Sequence, residues 1–215
     1  MLRSKFQKQM ETLNVELTRM GAMVEIAIAD SVNALVAQDI ELCNQVIAAD
    51  KEINDIKAYI ESKALKILLM QQPVASDLRV ISTALKMVID LERIGDQAKD
   101  ICEIVLYLCE EEYQMPLSIL PQMGETAKRM VNECIKAFVE KDVLLAELVI
   151  KTDDSMDEMF DKLKAKMIKW IREKPKAADQ MIYFLMVGKY FEKIGDHTEN
   201  IAKRIMNSHL GQKKP

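Results

Sequence analysis

This chain carries the same unit twice, and that duplication limits its fold before any single residue is assigned to a helix or a strand. Ala34-Leu35-Val36-Ala37-Gln38-Asp39 overlies Ala137-Phe138-Val139-Glu140-Lys141-Asp142 at an offset of 103 residues. Ala49-Asp50 with Ile53-Asn54 overlies Thr152-Asp153 with Met156-Asp157 at the same offset. Further along, Pro73, Ala75 and Asp77 match Pro175, Ala177 and Asp179 at 102, and Glu92-Arg93-Ile94-Gly95-Asp96 matches Glu192-Lys193-Ile194-Gly195-Asp196 at 100. Preserved order and spacing mean that one supersecondary unit is built twice and stacked on itself.

That unit is helical. Apolar residues recur at spacings of three and four nearly everywhere, the period of an amphipathic helix. Only 6 glycines and 5 prolines interrupt the chain. The breaks fall at Gln38-Asp39, Pro73, Glu110 to Pro121, Lys141-Asp142 and Pro175. They predict six helices, at about 3–37, 40–70, 75–109, 122–140, 142–172 and 177–209. The expected fold is all-α: two tandem three-helix bundles, 1–112 and 113–215, joined through the segment around Pro116.

Charge removes one class of partner. Lysine and arginine number 30 against 34 acids, a net charge of −4, so the cationic surplus of a nucleic-acid binder is missing. No uncharged apolar run approaches the roughly 18 residues that would cross a bilayer, and a cytoplasmic protein is expected. Cys43, Cys102, Cys109 and Cys134 form no C-x-x-C pair and no zinc spacing. They are expected to be reduced core thiols, and the 15 methionines to fill gaps between helices.

The chemistry-bearing pattern is a set of carboxylates. In the third helix Glu92, Asp96 and Asp100 are four apart, so each lies about 40° round and one turn along from the last. This stripe is expected to face outward, away from the core line of Val88, Leu91, Gly95, Ala98 and Cys102. The sixth helix repeats it as Glu192, Asp196 and Asn200. The second helix carries Asp50 and Asn54, and the fifth carries Asp153, Asp157 and Asp161. If Pro73 and Pro175 mark antiparallel turns, Asp50 lies level with Asp96 and Asn54 with Glu92, while Asp153 lies level with Asp196 and Asp157 with Glu192. With axes ~8 to 10 Å apart, such pairs can converge on a cation. Oxygen ligands without thiolate or clustered imidazole suit magnesium, manganese, calcium or iron and do not suit a structural zinc. The other reading is a solvated acidic face paired with Arg93, Lys99 and Lys193. Gly95 and Gly195 occupy equivalent core-facing positions, where close helix approach would offset their helix cost of ~1 kcal/mol each.

The blocks Gln72-Pro73-Val74-Ala75-Ser76-Asp77-Leu78-Arg79 and Leu91-Glu92-Arg93-Ile94-Gly95-Asp96, with a degenerate second copy at Phe191 to Asp196, resemble the signature of the PhoU family. The resemblance covers essentially the whole chain. It implies two three-helix bundles, dimerisation, and multinuclear iron, manganese or magnesium sites at paired acidic motifs. By position, the first site would use Asp50, Asn54, Glu92, Asp96 and Asp100, and the second Asp153, Asp157, Glu192, Asp196 and Asn200. Asn54 and Asn200 depart from the carboxylate pattern. The resemblance further implies a non-enzymatic regulator that links a phosphate ABC transporter and its ATPase to a phosphate sensor histidine kinase, keeping the starvation response off when phosphate is plentiful.

Rival chemistries lack residues. A ferritin-type oxidase needs Glu-x-x-His pairs inside the bundle, and none is present. His197 is expected at the surface beside Asp196. No G-x-S-x-G, P-loop or H-E-x-x-H motif occurs. A metal-free helical adaptor, similar to co-chaperone bundles, that binds a basic partner through its acidic stripes is the alternative. Lys162, Lys164, Lys166, Lys169, Arg172, Lys174 and Lys176 around Trp170 offer a basic run that peripheral contact with anionic lipid would use.

Overall fold

Scarce interruptions leave long rods, and a computed structural model, which describes residues 2–71 and 73–210, gives their arrangement. The helices are α1 (Leu2–Ala37), α2 (Ile40–Gln71), α3 (Ala75–Leu108), α4 (Leu120–Glu140), α5 (Val143–Glu173) and α6 (Ala178–Leu210), with a 3-10 turn at Pro175–Ala177 before the last. No strand occurs among the described residues. Helix α4 starts two residues before its expected position because Pro121 sits inside its first turn, where the missing N–H costs nothing.

Both repeats turn the same way at their first corner. Gln38 and Lys141 take left-handed backbone angles, φ 51° and 59°, and end α1 and α4. The amide of Asp39 then bonds back to the Ala34 carbonyl at 3.1 Å, and that of Asp142 to the Ala137 carbonyl at 2.9 Å. Each aspartate caps the following helix. Asp39 Oδ1 accepts from the Leu42 amide, and Asp142 Oδ1 from the amides of Leu144 and Leu145, all at 3.0 Å.

Helices α1, α2 and α3 pack together, as do α4, α5 and α6, and the two bundles meet through α3 against α6 and α1 against α4. The α3–α6 pair is antiparallel: Tyr107 stacks on Tyr183, and Arg204 reaches the Lys86 carbonyl at the other end. The apolar faces merge into one core, in which Leu17, Val24, Leu91 and Ala98 of the first repeat and Met130, Phe184, Phe191 and Ile194 of the second are all fully buried. Met20, Met87, Met123, Met156, Met167 and Met181 are buried with them. Helices α1 and α4 approach closely at Gly124, where a Cβ would lie 2.2 Å from Val32 Cγ2. The connecting segment is tied to both halves: Tyr113 Oη donates to the Leu35 carbonyl at 2.7 Å, and Gln180 Oε1 accepts from the Gln114 amide at 2.7 Å.

The four cysteines are free thiols, with Cys43, Cys102 and Cys134 buried and Cys109 partly so. A stretch of α1 within Phe6–Ala37 is long and apolar enough by composition to cross a membrane, and half of it is buried in the core. Its packing against α2, α3 and α4 accounts for that apolarity.

Candidate metal centres

Each acidic stripe lies along a helical seam, beside the helix that the hairpin folds against it. Glu92, Asp96 and Asp100 on α3 are half-buried, as are Asp50 and Asn54 on α2. Facing helices crowd them: α2 approaches α3 so closely that a Cβ on Gly95 would stand 3.0 Å from Ile53 Cδ1.

In the first repeat, cations already sit among the acids. Lys57 Nζ pairs with Glu92 at 2.7 Å, and Lys99 Nζ lies 3.7 Å from Asp50 Oδ2. Asn54 turns its amide nitrogen to Asp50, donating to Oδ2 at 3.2 Å and to the main-chain carbonyl at 3.1 Å. Asp50 Oδ1 is buried without a hydrogen-bond partner. Burial raises the Asp96 carboxyl above its ordinary range, and Asp50 and Glu92 add to the rise while Lys99 opposes it. Asp100 is likewise raised, chiefly by burial and Glu103, against the pull of Lys99 and a hydrogen bond from Tyr190 of α6. The structure therefore brings Asp50, Glu92, Asp96 and Asp100 into one electrostatic group, with Asn54 turned toward Asp50.

The second repeat differs at its centre. Asp153 on α5 is only 7% exposed. Lys203 of α6 acts on it electrostatically from outside direct ion-pair distance, and its Oδ1 lies 2.5 Å from where a Cβ on Gly195 would be. Gly195 thus makes room for a carboxylate, whereas Gly95 makes room for an isoleucine. Burial, then Glu199, Asp157, Asp196 and Glu192 push the Asp153 carboxyl up to about 7. Asp157 is exposed, and burial together with Glu192 and Asp196 raises its carboxyl too. Lys189 and Lys193 lie 2.6 and 3.6 Å from Glu192 Oε2, and Lys193 also pairs with Asp196. Asn200 is exposed, and Asp161 pairs outside the group with Lys164 at 2.6 Å.

Hard oxygen donors from two helices in each seam fit a divalent or trivalent hard cation. Among the described residues no three carboxylate, thiol or imidazole groups converge tightly enough to grip one ion with the side chains as they stand. The rotamers would have to swing inward, away from the lysines that now hold Glu92, Glu192 and Asp196.

Sequence reasoning missed Lys57, Glu199 and Asp90. Glu199 follows Asp196 by three, a spacing that places both on one helical face, but the repeat aligns it with Lys99 and so hides it. Asp90 is buried in the α3–α6 seam, where it pairs with Arg204 and, at 3.1 Å, with His197 Nδ1. His197 is therefore not a surface neighbour of Asp196. Adjacent helical residues point about 100° apart, and that rotation turns the imidazole into the interface.

Residues 17–105 and 120–205 each match the PhoU domain. The chain is 37% identical over 204 residues to a phosphate-specific transport system accessory protein PhoU homolog of Clostridium acetobutylicum, covering 94% of this chain and 93% of that protein. It is 28% identical to the corresponding PhoU of Escherichia coli, covering 97% and 86% respectively. Among solved structures it superposes on PhoU from Pseudomonas aeruginosa with a TM-score of 0.91 at 33% identity, covering 96% of this chain and 99% of that one.

Proposed function

The chain belongs to the PhoU family, and from that premise we propose that it restrains phosphate uptake and the phosphate-starvation response as a metal-binding adaptor in the cytoplasm. Its relatives are accessory proteins of the phosphate-specific transport system, so a regulatory role in phosphate transport is the coarser part of this reading. The finer part is that the chain bridges the transporter's ATPase and a phosphate sensor histidine kinase, as a homodimer. The observation that carries the regulatory role is the PhoU-domain match across both repeats.

Asp153 supports metal binding. Four acids crowd this largely buried carboxyl and outweigh Lys203, so an added cation would relieve the repulsion when it ionises. Asp50, Asn54, Glu92, Asp96 and Asp100 would hold a cation in the first seam, and Asp153, Asp157, Glu192 and Asp196 in the second. Asn200 is exposed and would join only by rotating inward. Iron, manganese or magnesium would supply charge neutralisation and a cross-link between α2 and α3 or between α5 and α6, fixing the surface offered to partners. The rival, a metal-free adaptor, draws support from Lys57, Lys99, Lys189 and Lys193, which already neutralise part of both groups. Lipid contact has less support, because the basic run on α5 is interleaved with acids: Lys162 pairs with Glu158, Lys164 with Asp161 and Lys169 with Glu173.

One double variant tests the adaptor reading. Asp96→Ala with Asp196→Ala is expected to lower metal content and to weaken capture of transporter and kinase from phosphate-replete cells, at unchanged helicity. Full metal content with wild-type capture refutes it.

A further inference from the structure

We infer that the groove where the two repeats meet, at the end of the molecule that holds Tyr107 and Tyr183, docks an arginine-bearing peptide segment of a partner protein. Such docking rests on the adaptor reading above for the existence of a partner, and it needs no bound metal.

The groove encloses about 850 Å³, within the range of ligand-sized clefts. One wall is the end of α3 and the segment that leaves it, with Tyr107, Glu110 and Glu111. The other is the turn before α6 and the start of that helix, with Lys176, Asp179 and Tyr183. The walls come from different repeats, so only their junction creates the groove. Gln180 ties them together: it is buried, accepts from the Gln114 amide at 2.7 Å and donates to the Glu112 carbonyl at 3.2 Å. Tyr107 and Tyr183 stack with centroids 5.9 Å and planes 4° apart. Tyr107 is 61% exposed, so its ring face turned away from Tyr183 is open.

Other rings of this protein show what such a face attracts. Tyr59, Phe160 and Trp170 are each covered by the protein's own lysines, 4.6 to 5.8 Å from the centroid. Among the described residues no cation covers Tyr107 or Tyr183. Lys174 lines the groove but lies over Trp170, which leaves Lys176 facing three acids. Those acids, Glu110, Glu111 and Asp179, are exposed, and none forms an ion pair among the described residues. Asp179 precedes Tyr183 by four, one turn away on the same face of α6, while Glu110 and Glu111 follow Tyr107 out of α3. An aromatic face attracts a cation, and carboxylates beside it hold that cation in place. Arginine meets both demands, because its planar guanidinium lies flat on a ring while its edge forks to a carboxylate. The compact ammonium of lysine lacks the plane and the fork.

Trp170 is the chain's single tryptophan, and its ring sits under Lys174 of the groove, so its fluorescence reports on binding there. Chelator-treated full-length protein is titrated with a capped peptide of alternating glycine and arginine, and with its lysine and glutamate counterparts. A saturable change is expected with the arginine peptide, weaker binding with lysine and none with glutamate. Tyr107→Leu keeps the net charge and should weaken the arginine peptide by about threefold or more, the scale of one cation over an exposed ring. Circular dichroism checks the fold, and if Tyr107→Leu loses helicity the exposed Glu111→Gln should show a loss of the same size. No saturable change, equal affinity for the arginine and lysine peptides, or full affinity in a folded Tyr107→Leu overturns the groove as an arginine site. Each of these leaves the capture test of the adaptor reading standing. If sedimentation shows that Tyr107→Leu breaks a dimer, a second copy fills the groove and the proposal falls as well.

Discussion

Replacing Asp153 by asparagine should make the metal-free protein more stable at alkaline pH, the reverse of what removing a native charged side chain usually does. The unfolded chain ionises this group near 3.8, while the folded protein holds its proton up to about 7. Between those values the folded state carries the extra proton, so stability falls as pH rises and the deficit is complete above pH 7. At 1.36 kcal/mol per factor of ten, that interval corresponds to a ceiling of about 4 kcal/mol. Water at the rim screens it, since Asp157 beside it is exposed, and about 2 kcal/mol is the working figure. Asparagine keeps the shape and removes the charge. Urea unfolding in the presence of chelator should show wild type losing stability from pH 5 to pH 8 more steeply than Asp153→Asn, with the variant about 2 kcal/mol ahead at pH 8. Asp96, Asp100 and Asp157 are raised in the same direction and add to the slope of both proteins, so the difference isolates one carboxyl. Parallel curves, or a variant weaker at pH 8, would refute the claim that burial and neighbouring acids disfavour the ionised Asp153.

Two further outcomes concern the interface between the repeats. Asp90→Ala should cost about 3 kcal/mol in urea unfolding, because it strands Arg204 and His197 in the α3–α6 seam. Gly124→Ala gains ~1 kcal/mol of helix propensity but drives a methyl against Val32 and the Phe191 ring, and overpacking of ~1 to 3 kcal/mol should leave a net loss in thermal unfolding.

The fold was legible because helical period, sparse turn residues and internal repetition all agree. Gln38-Asp39 and Lys141-Asp142 mark the same corner twice, and the structure uses both aspartates as caps. The acids of the seams were legible too, as residues four apart on helices that a proline turn folds together. Their surroundings were not. Lys57 sits one turn from Asn54 and reads as one more solvated lysine until α3 supplies Glu92 across the seam. Periodicity reports which face of a helix is apolar, and it carries no information about which neighbour lies against the polar one.

Sequence alone therefore determined the helices, their duplication and the acidic content of each hairpin, since these depend on contacts between residues close along the chain. Only tertiary structure decided that His197 turns to Asp90 and not to Asp196. It likewise decided that Gly95 admits an isoleucine where Gly195 admits the carboxylate of Asp153, and that one aspartate is matched by Lys99 while its counterpart faces Glu199. The physical reason is range: helix formation is set within a few residues, whereas the cost of a buried charge depends on every group that the packed helices bring within a few ångströms of it.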